Sequence, residues 1–108
     1  MVELKGSEKQ VKWAEEIREN LLVAINDATE FLENVQKKRI EKQGHKAKRI
    51  DRRIKAINEL KNEIENIEKA SYLIDNYMSM TNKKLTREDR QNEIIEYSFV
   101  ACNHESLE

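Results

Sequence analysis

The sequence predicts an all-α protein: a long antiparallel helical hairpin followed by a short third helix near the C-terminal end. Three observations carry this reading. Apolar residues recur at steps of three and four along two long stretches, the spacing of one helical face. The 108 residues include no proline and only two glycines, so little interrupts a helix. Charged residues make up 38% of the chain against one tryptophan, three tyrosines and two phenylalanines, a balance of long helices rather than sheets.

The first helix is expected over residues 7–42. Ser7-Glu8-Lys9-Gln10 has the form of a capping box, in which the serine oxygen accepts an N–H of the first turn and Gln10 reaches back. Val11, Ala14, Ile17, Leu21, Ile25, Ala28, Leu32 and Val35 then form one stripe, with Glu8/Lys12 and Glu33/Lys37 as favourable pairs outside it. Gly44 suits the left-handed residue that closes a helix, and Lys37, Lys38, Arg39 and Lys42 sit where cations meet the carbonyl end of the dipole.

The second helix is expected over 46–79. Its stripe is Ile50, Ile54, Ile57, Leu60, Ile64, Ile67, Ala70 or Ser71, Ile74, and Tyr77 or Met78. Two helices of similar length joined by a short turn fold back on each other, and mutual burial of their stripes is the main source of stability. Asn82-Lys83-Lys84-Leu85 breaks the pattern, and Thr86 ahead of Glu88 and Asp89 predicts a third helix at about 86–99. Trp13, Leu22, Val23 and Phe31 widen the apolar arc of the first helix, and the third helix is expected to cover part of it. Trp13 is expected as a packing wedge with Tyr97 or Phe99 opposite; uncovered, Trp13, Leu22 and Phe31 would form a homodimer face. Packing is the reading for Tyr77 and exposure for Tyr72.

Residues 1–106 read as one domain, and Leu107-Glu108 resembles a remnant of a purification tag. No apolar run approaches the length of a membrane span and no secretory leader is visible, so a cytoplasmic protein with no membrane contact is expected. A lone Cys102 closes no intramolecular disulfide.

Charge is the feature with functional content. Residues 37–55, KKRIEKQGHKAKRIDRRIK, carry ten Lys and Arg against Glu41 and Asp51, in a chain of formal net charge −1. The helical flanks are acidic, so the predicted turn is a cationic tip on an acidic body. Lys38, Arg39, Lys42, Lys46, Lys48, Arg49, Arg52 and Arg53 are the candidate polyanion-binding residues, with nucleic acid or an acidic protein surface as the partner. The isoelectric point of 6.2 and the lack of aromatics interleaved in the cluster argue against base reading. The bland alternative is a solvated hairpin end.

Catalysis finds little footing. His45 and His104 have no spacing that places two ligands on one helical face, so no metal or other cofactor is expected. Cys102-Asn103-His104 sets a thiol near an imidazole at a terminus without an orienting group. Glu16, Glu59 and Glu63 read as surface charges, since a slim hairpin offers no pocket for acid and base work or for a small-molecule substrate.

The block Leu4-Lys5-Gly6-Ser7-Glu8-Lys9-Gln10-Val11-Lys12-Trp13-Ala14-Glu15-Glu16-Ile17-Arg18 resembles L-x-G-S-x-K-Q-x-x-W-A-x-x-I-R, found in small uncharacterised proteins of phages, plasmids and integrated elements of Gram-positive bacteria. Those proteins often carry A-x-x-W-I-D-x-R further on. Ala70–Tyr77 is similar to it, with Leu73 in place of the tryptophan and Tyr77 in place of the arginine. The resemblance implies a mobile-element origin in a bacterial cytoplasm and no particular reaction. The expectation is therefore a non-enzymatic accessory protein that binds through its basic tip; the alternative is a self-associating adaptor or protein–protein inhibitor without nucleic-acid contact.

Overall fold

The computed structural model describes residues 2–102. Four α-helices follow in order: α1 (Glu8–Gln43), α2 (Lys48–Asn66), α3 (Ala70–Tyr77) and α4 (Arg87–Ala101), with a 3₁₀ turn at Met78–Thr81 between the last two. The all-α expectation holds, and no strand occurs among the described residues. No helix there is long and apolar enough to cross a membrane.

α1 is the rail on which the rest is built; α2, α3, the 3₁₀ turn and α4 all pack against it. Its 36 residues give it roughly 54 Å at 1.5 Å per residue, and the molecule extends 52 × 27 × 21 Å. Ser7 and Gln10 form the capping box. At the other end Gly44 takes a left-handed φ of 77° and returns its N–H to the carbonyl of Ile40 at 2.8 Å. Ala14, Ile17, Leu21, Ile25, Ala28 and Leu32 are buried as the spacing predicts, while Val11 and Val35 are half-buried at the ends of the stripe.

The expected helix over 46–79 is instead two helices and a 3₁₀ turn. The apolar phase runs through: Ile50, Ile57, Leu60, Ile64 and Ala70 are buried, and Ile54, Ile67, Ile74 and Tyr77 pack against them. The backbone does not follow. Ile67 and Lys69 are extended, and the chain entering from the N-terminus pairs with this break. Val2 N–H donates to Glu65 O at 3.1 Å, Lys5 N–H to Glu68 O at 2.7 Å, and Ala70 N–H to Lys5 O at 3.0 Å, making a parallel bridge between Lys5 and Lys69. Periodicity reports side chains alone, so a break stabilised by a distant main-chain segment leaves no trace in it.

Gly6 permits that approach. Its φ of +155° is disfavoured for side-chain-bearing residues, and a Cβ there would lie 3.2 Å from the Ala70 Cβ. Arg18, buried in α1, locks the arrangement by donating to the carbonyls of Val2, at 2.7 Å, and Ile67. Ile67 caps the C-terminal end of α2, where a guanidinium also meets the negative end of the helix dipole.

α4 begins as predicted, with Thr86 and Asp89 forming a second capping box. It reaches the core through Ile94 and a fully buried Ser98, whose hydroxyl donates to Ile95 O at 2.6 Å. Arg87 at its start grips Asp27 of α1 through two bonds of 2.7 and 2.9 Å. Trp13 does not act as the expected wedge buried against Tyr97 or Phe99. It remains 40% exposed, and its indole N–H donates to Thr81 Oγ1 at 2.8 Å, tying α1 to the 3₁₀ turn.

Candidate polyanion-binding tip

The basic stretch spans the last turns of α1, the turn at residues 44–47 and the first turns of α2. Gly44 closes α1, but α2 opens on Ala47, which has no side-chain oxygen to cap the new helix. The missing partner comes from α1. Gln36, buried, accepts the Ala47 N–H at 2.8 Å and donates from Nε2 to Ala47 O at 3.2 Å and to Asp51 Oδ1 at 2.8 Å. One amide thus fixes where α2 starts relative to α1, and with it the spacing of the cations.

Half of the ten cations of residues 37–55 meet in one place. Arg39, His45, Lys46, Lys48, Arg49 and Arg52 surround an open depression of about 630 Å³. A second depression of about 500 Å³ is lined by Glu33, Glu41 and Asp51 together with Gln36, Lys37 and Lys46. Glu41 and Asp51, the two acids within residues 37–55, both line the second depression and neither lines the first, while Lys46 lines both. In a medium of reduced dielectric, several like charges around one concavity attract anions more strongly than the same charges dispersed.

Five of the eight predicted residues meet there: Arg39, Lys46, Lys48, Arg49 and Arg52. Lys38 and Lys42 are exposed on the same end of the molecule but outside the lining. Arg53 is a correction. It is only 4% exposed, its guanidinium lies over the Phe99 ring 5.0 Å from the centroid, and it serves the packing of α2 against α4. Its position explains this: Arg53 falls in helical phase with Ile50, Ile57 and Leu60, on the inward side.

Gln36 is the functional residue that residue-type reasoning misses. A signal existed in its phase, since it continues the buried series Ala28, Leu32 at steps of four, and a polar side chain in that position requires a partner. Arg18 carries the same signal beside Ala14, Leu21 and Ile25. Burial pushes its guanidinium pKa down, and Glu15 partly opposes that.

Of the remaining candidates, Glu16, Glu59 and Glu63 are exposed, Leu22 is half-buried against the core, and Phe31 is exposed beside the Asp27–Arg87 pair. Tyr72 and Tyr97 are exposed and Tyr77 is half-buried. Among the described residues no three His, Cys, Asp or Glu side chains gather where they could hold a metal ion. His104 and the suspected tag residues 107–108 lie outside the described residues. No protein-family model matches the chain, and comparison with curated proteins and with solved structures likewise finds no match, so the chemistry of the tip rests on its own residues.

Proposed function

We propose that the protein acts by binding rather than catalysis, and that its basic tip, the closed end of a helical hairpin, takes the phosphate backbone of a nucleic acid. One observation supports this above others: five of the ten cations of residues 37–55 surround one depression that neither Glu41 nor Asp51 lines. His45 is the one ring in that lining, so the contact is with phosphates and is blind to sequence. The resemblance of residues 4–18 to mobile-element proteins favours an accessory role beside nucleic-acid machinery.

The test is titration of a fluorescent duplex and a single strand between about 50 and 300 mM salt. With up to five Lys and Arg engaged, log K should fall by up to about 4–5 per unit of log salt on duplex DNA. The Arg49→Glu/Arg52→Glu variant should lose binding with its helical content intact. Absence of binding by the unmodified protein at the lowest salt would refute the reading and turn attention to an acidic protein partner.

The rival reading is a self-associating adaptor. Trp13 and Phe31, 40% and 43% exposed, favour it as apolar side chains left at the surface. It requires that Phe31→Asp abolish assembly while the tip variant leaves it unchanged.

A further inference from the structure

The residues between α2 and α3 do not themselves dictate the reversal they make. α2 runs back along α1, from Ala47 beside Gln36 to Ile67 beside Arg18. The chain then turns and follows α1 forward again: Ala70 lies against Gly6, Met80 O accepts from Asn20 at 2.8 Å, and Arg87 holds Asp27. Yet Asn66-Ile67-Glu68-Lys69-Ala70 contains neither glycine nor proline, and Lys69, at the N-cap of α3, makes no side-chain cap bond. Leu60, Ile64, Ile67, Ala70 and Ile74 keep the phase of one helix, and Glu65 and Lys69 stand at the i,i+4 spacing that favours it.

The N-terminal segment holds the turn by taking the very groups a continuous helix would pair. Glu65 O, which would accept from Lys69 N–H, accepts from Val2; Ala70 N–H, which would donate to Asn66 O, donates to Lys5 O. Ile67 O, the acceptor for Ser71 N–H in such a helix, is taken by Arg18, which also holds Val2 O. Leu4 is buried and anchors the segment. With the segment withdrawn, residues 48–77 satisfy the same backbone groups as one helix of about 45 Å, at 1.5 Å per residue. α3 then points away from α1. Trp13, Asn20 and Asp27 lose Thr81, Met80 and Arg87, and the buried Leu73, Met80 and Ile94 lose their cover. One chain cannot leave that surface open, but a second copy offers the same groups in the same places.

We infer that residues 2–5 are a clasp that selects between two forms of this chain: a single-chain bundle when the segment is seated, and, when it is withdrawn, a pair in which α2 and α3 are one helix and each chain lays its α4 on the other's α1. The exchange needs no new surface, because every contact of the pair is one the single chain already makes.

Light scattering and cross-linking test it on the full chain, with circular dichroism to confirm that every variant is helical. The unmodified protein should have the mass of one chain at about 200 μM, whereas Arg18→Met should rise from one chain at about 5 μM to two at about 200 μM. Gly6→Val, which crowds Ala70, should do the same. Amide exchange at Ala70, accelerated in the dilute variants, should slow again in the pair as the joined helix takes up its N–H. Glu68→Pro spares the reversal, since Ile67 already has the extended backbone that precedes proline, and forbids the joined helix. Arg18→Met/Glu68→Pro should therefore stay at one chain. In a Cys102→Ser background, Asp27→Cys/Arg87→Cys sets two thiols where α1 meets α4. A short bismaleimide should join them within one chain when the clasp is intact and between chains in the Arg18→Met pair. Helical clasp variants that stay single at about 200 μM, a pair that survives Glu68→Pro, or a pair whose cross-links stay within each chain would each overturn the inference. So would an unmodified chain that cross-links between copies.

Discussion

Gln36 holds both backbone groups of Ala47: its Oε1 accepts the N–H at 2.8 Å and its Nε2 donates to the carbonyl at 3.2 Å. This single side chain does for α2 what a serine or aspartate cap does for most helices, and it does so from another helix. The register of the basic tip depends on it.

Gln36→Leu should remove the bonds to the half-buried backbone of Ala47 and to the exposed Asp51, at about 0.5–1.5 kcal/mol for each bond lost. Urea unfolding measures the loss. Because the start of α2 is released, duplex affinity should fall as well, even though no tip charge is removed. A variant that keeps full stability would show that water replaces Gln36 at no cost.

Arg18 and Gly6 make one structural unit. Arg18→Met keeps much of the side-chain volume and removes the donors to Val2 and Ile67, which should cost about 2–4 kcal/mol. Gly6→Ala forces a Cβ toward Ala70 at an unfavourable φ, at about 1–3 kcal/mol. Both act by freeing the N-terminal segment, so amide exchange at Lys5 and Ala70 should rise in each variant. Exchange that rises only at distant sites would dissociate the two residues from this segment.

Trp13 and Thr81 can be tested as a pair. Trp13→Phe and Thr81→Val each remove the 2.8 Å bond, and each should cost about 0.5–1.5 kcal/mol. The double variant should cost less than the sum, because the bond is lost only once. Strict additivity would mean that the bond contributes nothing and that the indole acts through packing alone.

Acid should weaken the fold through Asp27 and Asp89. The hydrogen bonds from Arg87 hold the Asp27 carboxyl below its ordinary value, and the backbone N–H of Thr86, with help from its hydroxyl, does the same for Asp89. A carboxyl with a depressed pKa in the folded state takes up its proton more readily once unfolded. Its contribution is thus complete above the ordinary value of about 3.9 and disappears as pH falls through the depressed one. Asp27→Asn should lower the urea midpoint at pH 7, and the difference from the unmodified chain should shrink below about pH 4. A gap that stays constant down to pH 2 would show that Asp27 stabilises by some route other than its charge.

The sequence by itself determined the all-α class, the length of α1, its capping box and closing glycine, the threonine cap of α4, and most of the core, with Leu4, Ala24, Leu73 and Met80 buried outside the predicted stripes. These are local or periodic properties: a cap lies within four residues, and a stripe repeats every three or four. It also located the cationic stretch, since charge is a matter of residue type. Only the tertiary structure decided the rest. The break at residues 67–69 depends on backbone bonds from Val2 and Lys5, more than 60 positions away in the chain. The sorting of Arg39, Lys48, Arg49 and Arg52 away from Glu41 and Asp51 depends on how α2 is set against α1 by Gln36. Arg53 left the surface because helical phase outweighed its charge, with the Phe99 ring and neighbouring chain replacing water around its guanidinium. Spacing along a chain encodes which side of a helix a residue occupies, whereas the backbone group or ring it meets there is chosen by a segment distant in sequence.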